Sequence, residues 1–131
     1  MADAVVLILY DEKKNILFQK RDKHALKHPN QWSFFGGAME SNETPKEAVQ
    51  REALEELNFT SKQYMLATVT EIKNDGTKFY FLAKCADKNM LHLREGKAML
   101  WISLEEAKKL SLVPNHKKML PQISMIIKKL S

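Results

Sequence analysis

Apolar and polar positions alternate along this chain in blocks that predict strands, turns and helices in turn. Val5–Tyr10 is a short, β-branched apolar run, which predicts a buried strand. Asp11–Asn15 is polar and predicts a turn, and Ile16–Lys20 resumes as a second strand, so the pair predicts a hairpin. Arg21–Asn30 is a polar loop with Pro29 near its end. Gln31–Phe35 predicts a short aromatic strand, which Gly36-Gly37 is expected to break. Thr44–Leu57 then switches to helical spacing. Thr44 predicts the N-cap, Pro45 suits the first turn, Glu47 completes a T-x-x-E capping box, and Asn58 suits the left-handed residue that ends a helix. Gln63–Ile72 and Thr77–Ala86 flank Asn74-Asp75-Gly76, a strong hairpin signal. Ala98–Ile102 predicts another strand. Ser103-Leu104-Glu105-Glu106 is a second capping box, opening a helix to about Leu110. From about His116 to Leu130, Met119, Ile123, Ile126, Ile127 and Leu130 recur at helical spacing, with Pro121 expected in the first turn. With no repeat, linker or low-complexity tract, the expectation is a single α/β domain over residues 1–131.

Composition narrows the class. A chain of 131 residues with 44% hydrophobic residues can bury a core without disulfides. Cys85 is the sole cysteine, which excludes an intrachain disulfide and suits a reducing compartment. It sits in the apolar run from Phe79 to Ala86 and reads as a core residue. Val5–Tyr10 is too short for a signal sequence and lacks a basic leader, and no stretch approaches the roughly 18 apolar residues of a membrane span. The expectation is a cytoplasmic protein with no membrane partner. The net charge is +5, yet Glu40, Glu43, Glu47, Glu52, Glu55 and Glu56, six of the 16 acids, crowd one segment. The lysine pairs 108–109, 117–118 and 128–129 read as a solvated face, so no stable nucleic-acid partner is expected. His24, His28, His92 and His116 show no zinc-ligand spacing and read as loop residues.

The candidate chemistry lies on the Thr44–Leu57 helix. At about 100° per residue, Glu52, Glu55 and Glu56 fall within roughly a third of the circumference. Val49, Ala53, Leu54 and Leu57 are expected on the opposite, core-facing side. Like charges at these spacings repel by a few tenths of a kcal/mol per pair, which Arg51 offsets in part by its i,i+4 relation to Glu55. Such a concentration of carboxylate is more readily explained if a hard cation such as Mg²⁺ or Mn²⁺ sits there. Gly36-Gly37 and Glu43 lie just ahead, and glycine lets a backbone carbonyl approach a metal closely.

Gly37, five residues, Glu43, seven residues, then Arg51-Glu52-Ala53-Leu54-Glu55-Glu56-Leu57-Asn58-Phe59 resembles the Nudix box, G-x5-E-x7-R-E-U-x-E-E-x-G-U. Every charged position and the first glycine match. Asn58 replaces the second glycine, and Ala53 is a small version of the apolar position. The order of elements resembles MutT-like members over most of the chain. The resemblance implies a Nudix fold, an α/β/α sandwich with a mixed β-sheet, and a hydrolase that cleaves a diphosphate linkage. It also implies that Glu52, Glu55 and Glu56 bind Mg²⁺, joined by the carbonyl of Gly36 or Gly37. Glu43 then supports the site, Arg51 orients the glutamates, and Glu40 stands near the metals. The general base is a box glutamate or Glu95, in the turn Arg94-Glu95-Gly96, and Arg21 resembles a phosphate-contacting position.

The box reports the bond cleaved rather than the group attached to it. Candidate substrate-binding residues are Trp32, Phe34, Phe35 and Tyr80, which could stack on a base, and Asn115, which could read a base edge. The leading expectation is a MutT-like nucleoside triphosphate pyrophosphohydrolase acting on a nucleotide-type small molecule. The rivals are a dinucleoside polyphosphate, nucleotide-sugar or ADP-ribose hydrolase, and a non-catalytic nucleotide- or RNA-binding Nudix module. Binding modules usually lose box glutamates, and ADP-ribose members often carry a proline downstream of the box. This chain keeps the glutamates and has no proline between Pro45 and Pro114. A homodimer is common in such families.

Overall fold

The computed structural model describes residues 3–74, 76–94 and 98–130. The predicted turn residue Asp75 and the candidate base Glu95 therefore lie outside the described residues. Seven strands form one mixed sheet: β1 (Ala4–Tyr10), β2 (Ile16–Lys20), β3 (Trp32–Ser33), β4 (Phe35–Ala38), β5 (Met65–Ile72), β6 (Gly76–Lys84) and β7 (Ala98–Ile102). β1 is its axis. It runs parallel to β6 along its whole length, and on its other edge it pairs antiparallel with β4 at Ala4–Leu7 and with β2 at Tyr10.

Alternation along β1 assigns the two faces. Val5, Leu7 and Leu9 point to one side and pack with Ala48, Val49, Ala53 and Leu57 of α1 (Pro45–Leu57). Val6 and Ile8 point to the other and pack with Ala107 of α2 (Leu104–Ala107) and with Met119, Leu120, Ile123 and Ile127 of α3 (Pro114–Lys128). A strand covered on both sides needs no polar face, which is why Val5–Tyr10 reads as a continuous apolar run. The architecture is the expected α/β/α sandwich with a mixed sheet. Cys85 is buried in the α1-side core, and burial pushes its thiol pKa up.

Helix α1 begins and ends on the predicted signals. Thr44 Oγ1 accepts from the Glu47 N–H at 3.2 Å, and Glu47 Oε1 accepts from the Thr44 N–H at 2.9 Å. Asn58 closes it in the left-handed conformation at φ 56°. One position departs from the predicted face. Leu54 is exposed, because it lies a full 100° step beyond Ala53, the centre of the buried stripe.

Three further boundaries differ from the sequence expectation. Gly36-Gly37 does not break the aromatic strand; both glycines lie inside β4, opposite Val6 and Val5. The interruption falls instead at Phe34, between β3 and β4. Its N–H donates to His116 Nδ1 at 3.1 Å and its carbonyl accepts from Gln19 Nε2 at 3.3 Å, so side chains satisfy the backbone there. Helix α2 has its predicted Ser103 cap, with Oγ accepting from the Glu106 N–H, but it ends at Ala107. Helix α3 starts two residues before the expected His116, with Pro114 in its first turn, and Pro121 lies inside it. Pro121 and Lys117, whose carbonyl loses its helical donor, are both exposed, so water can take that carbonyl.

Candidate active site

The site is organised around one guanidinium. Arg51 Nε donates to Glu43 Oε2 at 2.6 Å, and one terminal nitrogen donates to Glu43 Oε1 at 3.0 Å, a two-pronged clamp. That same nitrogen donates to the Ala38 carbonyl at 3.0 Å, tying α1 to the end of β4. The other terminal nitrogen donates to Glu52 Oε1 at 2.9 Å and to Glu55 Oε2 at 3.3 Å. Glu40 Oε1 lies 3.3 Å from Nε. Four carboxylates, two from α1 and two from the segment just before it, thus converge on one cation carried by α1. Glu43 also accepts from the Glu40 N–H at 2.7 Å. The Arg51 guanidinium, then that amide, hold the Glu43 carboxyl below its ordinary pKa. The Arg51 pKa rises further above its already high ordinary value, with the Glu43 bond as the largest cause.

The two glycines serve different geometric needs. Gly36 has φ +145°, and a Cβ there would stand 2.1 Å from the Val5 carbonyl oxygen. Only glycine lets β4 lie this close to β1. At Gly37 the neighbour is the Glu52 carboxylate: a Cβ would stand 2.6 Å from Oε1 and 2.8 Å from Oε2. The Glu52 side chain therefore rests on bare backbone of β4, which brings strand and helix oxygens together.

The loop after β6 docks on the C-terminal end of α1. The His92 N–H donates to the Leu57 carbonyl at 2.8 Å, the Arg94 N–H to the Glu56 carbonyl at 2.9 Å, and Asn58 Nδ2 to the Met90 carbonyl at 3.2 Å. The first two bonds satisfy carbonyls that any helix end leaves without donors. Asn58 thus adds a tether that glycine, at this position of the box, could not make.

The other candidates are placed less favourably. Phe35 is buried in the α1-side core and Tyr80 in the α3-side core, each enclosed by packed side chains, so neither presents a ring face for stacking. Arg21 ends β2 with Nε donating to the Lys27 carbonyl at 3.0 Å, which braces the loop that follows. Asn115 lies in the first turn of α3, partly exposed.

His116 is the residue that sequence reasoning missed. It belongs to α3 rather than to a loop, stacks on Phe34 with ring centroids 5.0 Å apart, and accepts the Phe34 N–H. Burial, then the charges of Lys78, Arg21 and His28, push its pKa down to about 3. A signal for it did exist: His116 falls three, four and seven residues before Met119, Leu120 and Ile123, on the buried stripe of α3.

Among the described residues, no three acidic, histidine or cysteine side chains converge on a common point as ready-made metal ligands. Glu52 and Glu55 are turned onto Arg51 instead. The donor chemistry nevertheless fits a hard divalent cation, being all oxygen with no thiolate or imidazole, beside a glycine cradle that a side chain would fill.

The sequence profile of the NUDIX domain matches residues 1–123, and the chain belongs to the Nudix hydrolase family. Members of that family generally use divalent metal cations. The fold is similar to that of a MutT protein from Methanosarcina mazei Go1, at 21% identity and TM-score 0.78 over 98% of this chain and 96% of that one. A Caenorhabditis elegans Ap4A hydrolase is similar at 22% identity and TM-score 0.75, over 95% of this chain and 98% of that one. The NUDIX domain of Shewanella oneidensis NrtR, solved with ADP ribose, is similar at 13% identity and TM-score 0.78, over 97% of this chain and 88% of that one. No curated relative matches the chain significantly. No helix among the described residues is long and apolar enough to cross a membrane.

Proposed function

We propose that this protein is a divalent-metal-dependent, MutT-like nucleoside triphosphate pyrophosphohydrolase. The observation that carries the reading is the Arg51-centred carboxylate cluster laid against Gly37. In this reading Glu52, Glu55 and Glu56, with the carbonyl of Gly36 or Gly37, hold Mg²⁺ or Mn²⁺. When bound, the cation neutralises diphosphate oxygens and acidifies a coordinated water. The chain's own residues supply placement. Glu43 anchors the Arg51 guanidinium, and Arg51 holds Glu52 and Glu55 within reach of β4. A carboxylate oxygen of Glu56 or Glu95 takes the proton of the attacking water, and Arg21 steadies a phosphate. The P–O bond to the leaving phosphate breaks as the water oxygen bonds to phosphorus, so the protein's contribution is positioning and charge stabilisation. The substrate is a nucleotide-type small molecule.

The test is kcat/KM with Mg²⁺ over nucleoside triphosphates, dinucleoside polyphosphates, nucleotide sugars and ADP-ribose. The expected result is highest efficiency on a nucleoside triphosphate with release of pyrophosphate. A clear maximum on another class overturns the substrate assignment. Nucleotide binding without turnover anywhere in the panel overturns the enzymatic reading in favour of a binding module.

A further inference from the structure

Among the described residues Asp11 is the one charged side chain that is buried, at 5% exposure. Burying a carboxylate is costly unless it is paired and hydrogen-bonded, so its partners show what the burial achieves. Oδ1 accepts from the N–H groups of Lys13, at 2.9 Å, and Asn15, at 2.8 Å, which closes the turn between β1 and β2. Oδ2 accepts from Lys88 Nζ at 2.7 Å. The same Nζ lies 4.4 Å from the centroid of the Trp101 ring, in β7, a cation–π contact. One ammonium thus joins the end of β1 to β7 across the start of the segment that follows β6.

Lys88 is built into that segment. It opens a single 3-10 turn, Lys88–Met90, and its carbonyl accepts from the Leu91 N–H at 3.2 Å. Asp87 Oδ1 caps the turn, accepting from the Asn89 N–H at 2.9 Å. A few residues further on, the segment meets α1, where the His92 and Arg94 amides donate to the carbonyls of Leu57 and Glu56. Those bonds bear on the site. Glu55 and Glu56 stand in the last turn of α1, and a last turn frays when its carbonyls lack donors. Leu91 adds a buried apolar anchor, but apolar contact is non-directional and does not aim the amides. The ion pair has direction, because the ammonium must meet a fixed carboxylate oxygen and a fixed ring face at once.

We propose that Lys88 is a positioning residue for the hydrolytic reaction. Clasped between Asp11 and Trp101, it holds the Asp87–Arg94 segment against α1, and through the His92 and Arg94 amides it keeps the turn that bears Glu55 and Glu56 in place. This rests on the hydrolase reading above. The clasp acts through the backbone and touches no substrate, so its loss should slow turnover without weakening substrate binding.

The substitution K88M removes the charge and keeps the length of the stem over Trp101. Amide exchange followed by NMR in the metal-free protein reads the clasp without chemistry. In K88M the His92 and Arg94 amides should exchange at least about tenfold faster, while the Cys85 amide, bonded to the Tyr10 carbonyl, keeps its wild-type rate. With Mg²⁺ and substrate, kcat should fall about tenfold while KM stays within about twofold. K88R restores both contacts of the cation and should bring exchange and kcat to within about threefold of wild type. K88M also leaves Asp11 buried and unpaired, so the double variant D11N/K88M separates stability from positioning. Its Tm should recover towards wild type while the fast exchange and the low kcat persist. Wild-type exchange at His92 and Arg94 in K88M, a kcat that recovers with Tm in the double variant, or a change confined to KM overturns the proposal. The two readings fail separately. A wild type that cleaves nothing while the exchange pattern holds overturns the hydrolase reading and leaves the clasp. Cleavage by wild type and K88M at equal kcat overturns the role of Lys88 and leaves the hydrolase reading.

Discussion

The same small substitution at two adjacent glycines should produce opposite defects. In Gly36→Ala the new Cβ meets the backbone of β1, 2.1 Å from the Val5 oxygen and 3.0 Å from the Val6 Cα. β1 cannot yield, because β6 is paired along its other edge from Ala4 to Tyr10. A side chain at φ +145° costs about 1–3 kcal/mol of backbone strain, and the clash adds about 1–3 kcal/mol more. The total, about 4 kcal/mol, corresponds to a Tm lowered by roughly 10–15 °C in a domain of this size. In Gly37→Ala the Cβ meets only the end of a flexible side chain, the Glu52 carboxylate at 2.6–2.8 Å. Glu52 must swing off β4 and give up its 2.9 Å bond to Arg51, while Arg51 keeps Glu43 and the Ala38 carbonyl. That loss costs roughly 0.5–1 kcal/mol, a Tm change of a few degrees. If Glu52 holds the metal as proposed, the displaced carboxylate can no longer reach it, so the Mg²⁺ concentration for half-maximal turnover should rise more than tenfold. Thermal denaturation and Mg²⁺-titrated hydrolysis separate the two outcomes. Gly36→Ala melting within about 2 °C of wild type, or Gly37→Ala keeping the wild-type Mg²⁺ dependence, refutes the reasoning.

Three further outcomes are expected. Glu56→Gln should lose at least about a hundredfold in kcat while its Tm stays within a few degrees, and a fully active variant would remove Glu56 from the machinery. Arg51→Met leaves Glu43 and Glu52 without their cation; its Tm without metal should fall by the equivalent of about 2 kcal/mol, and added Mg²⁺ should recover more of that loss than it adds to wild type, which differential scanning calorimetry reads. The lowered pKa of His116 makes the folded state bind fewer protons than the unfolded chain between about pH 3 and 6.5, so its contribution is complete above pH 6.5 and declines as pH falls, by roughly 2 kcal/mol at pH 5. His116→Asn should flatten that slope in urea melts at pH 5 and 7, and an unchanged slope would assign the acid sensitivity to other groups.

Features encoded within a few neighbouring residues were legible in the chain alone. The Thr44 and Glu47 capping pair, the left-handed Asn58 and the run from Ile16 to Lys20 depend on local dihedrals and spacing, and they form where the sequence predicts. The box spacing sufficed to place the chain in its family, because the charged positions of the box recur at helical intervals. Burial was less legible, since periodicity shows that a stripe exists but not its width. Leu54 therefore lies outside while Phe35 and Tyr80 lie inside, where their rings fill the core instead of offering a stacking face. Pairings across the chain were not legible at all. Phe34 and His116 are 82 positions apart, and only when α3 folds onto the sheet does an amide without a ladder partner find an imidazole lone pair. The same holds for the Arg51–Ala38 bond and for the loop tied to the end of α1. A carboxylate helix announces its chemistry through its own spacing, whereas the groups around it are brought together by long-range contacts that no local pattern records.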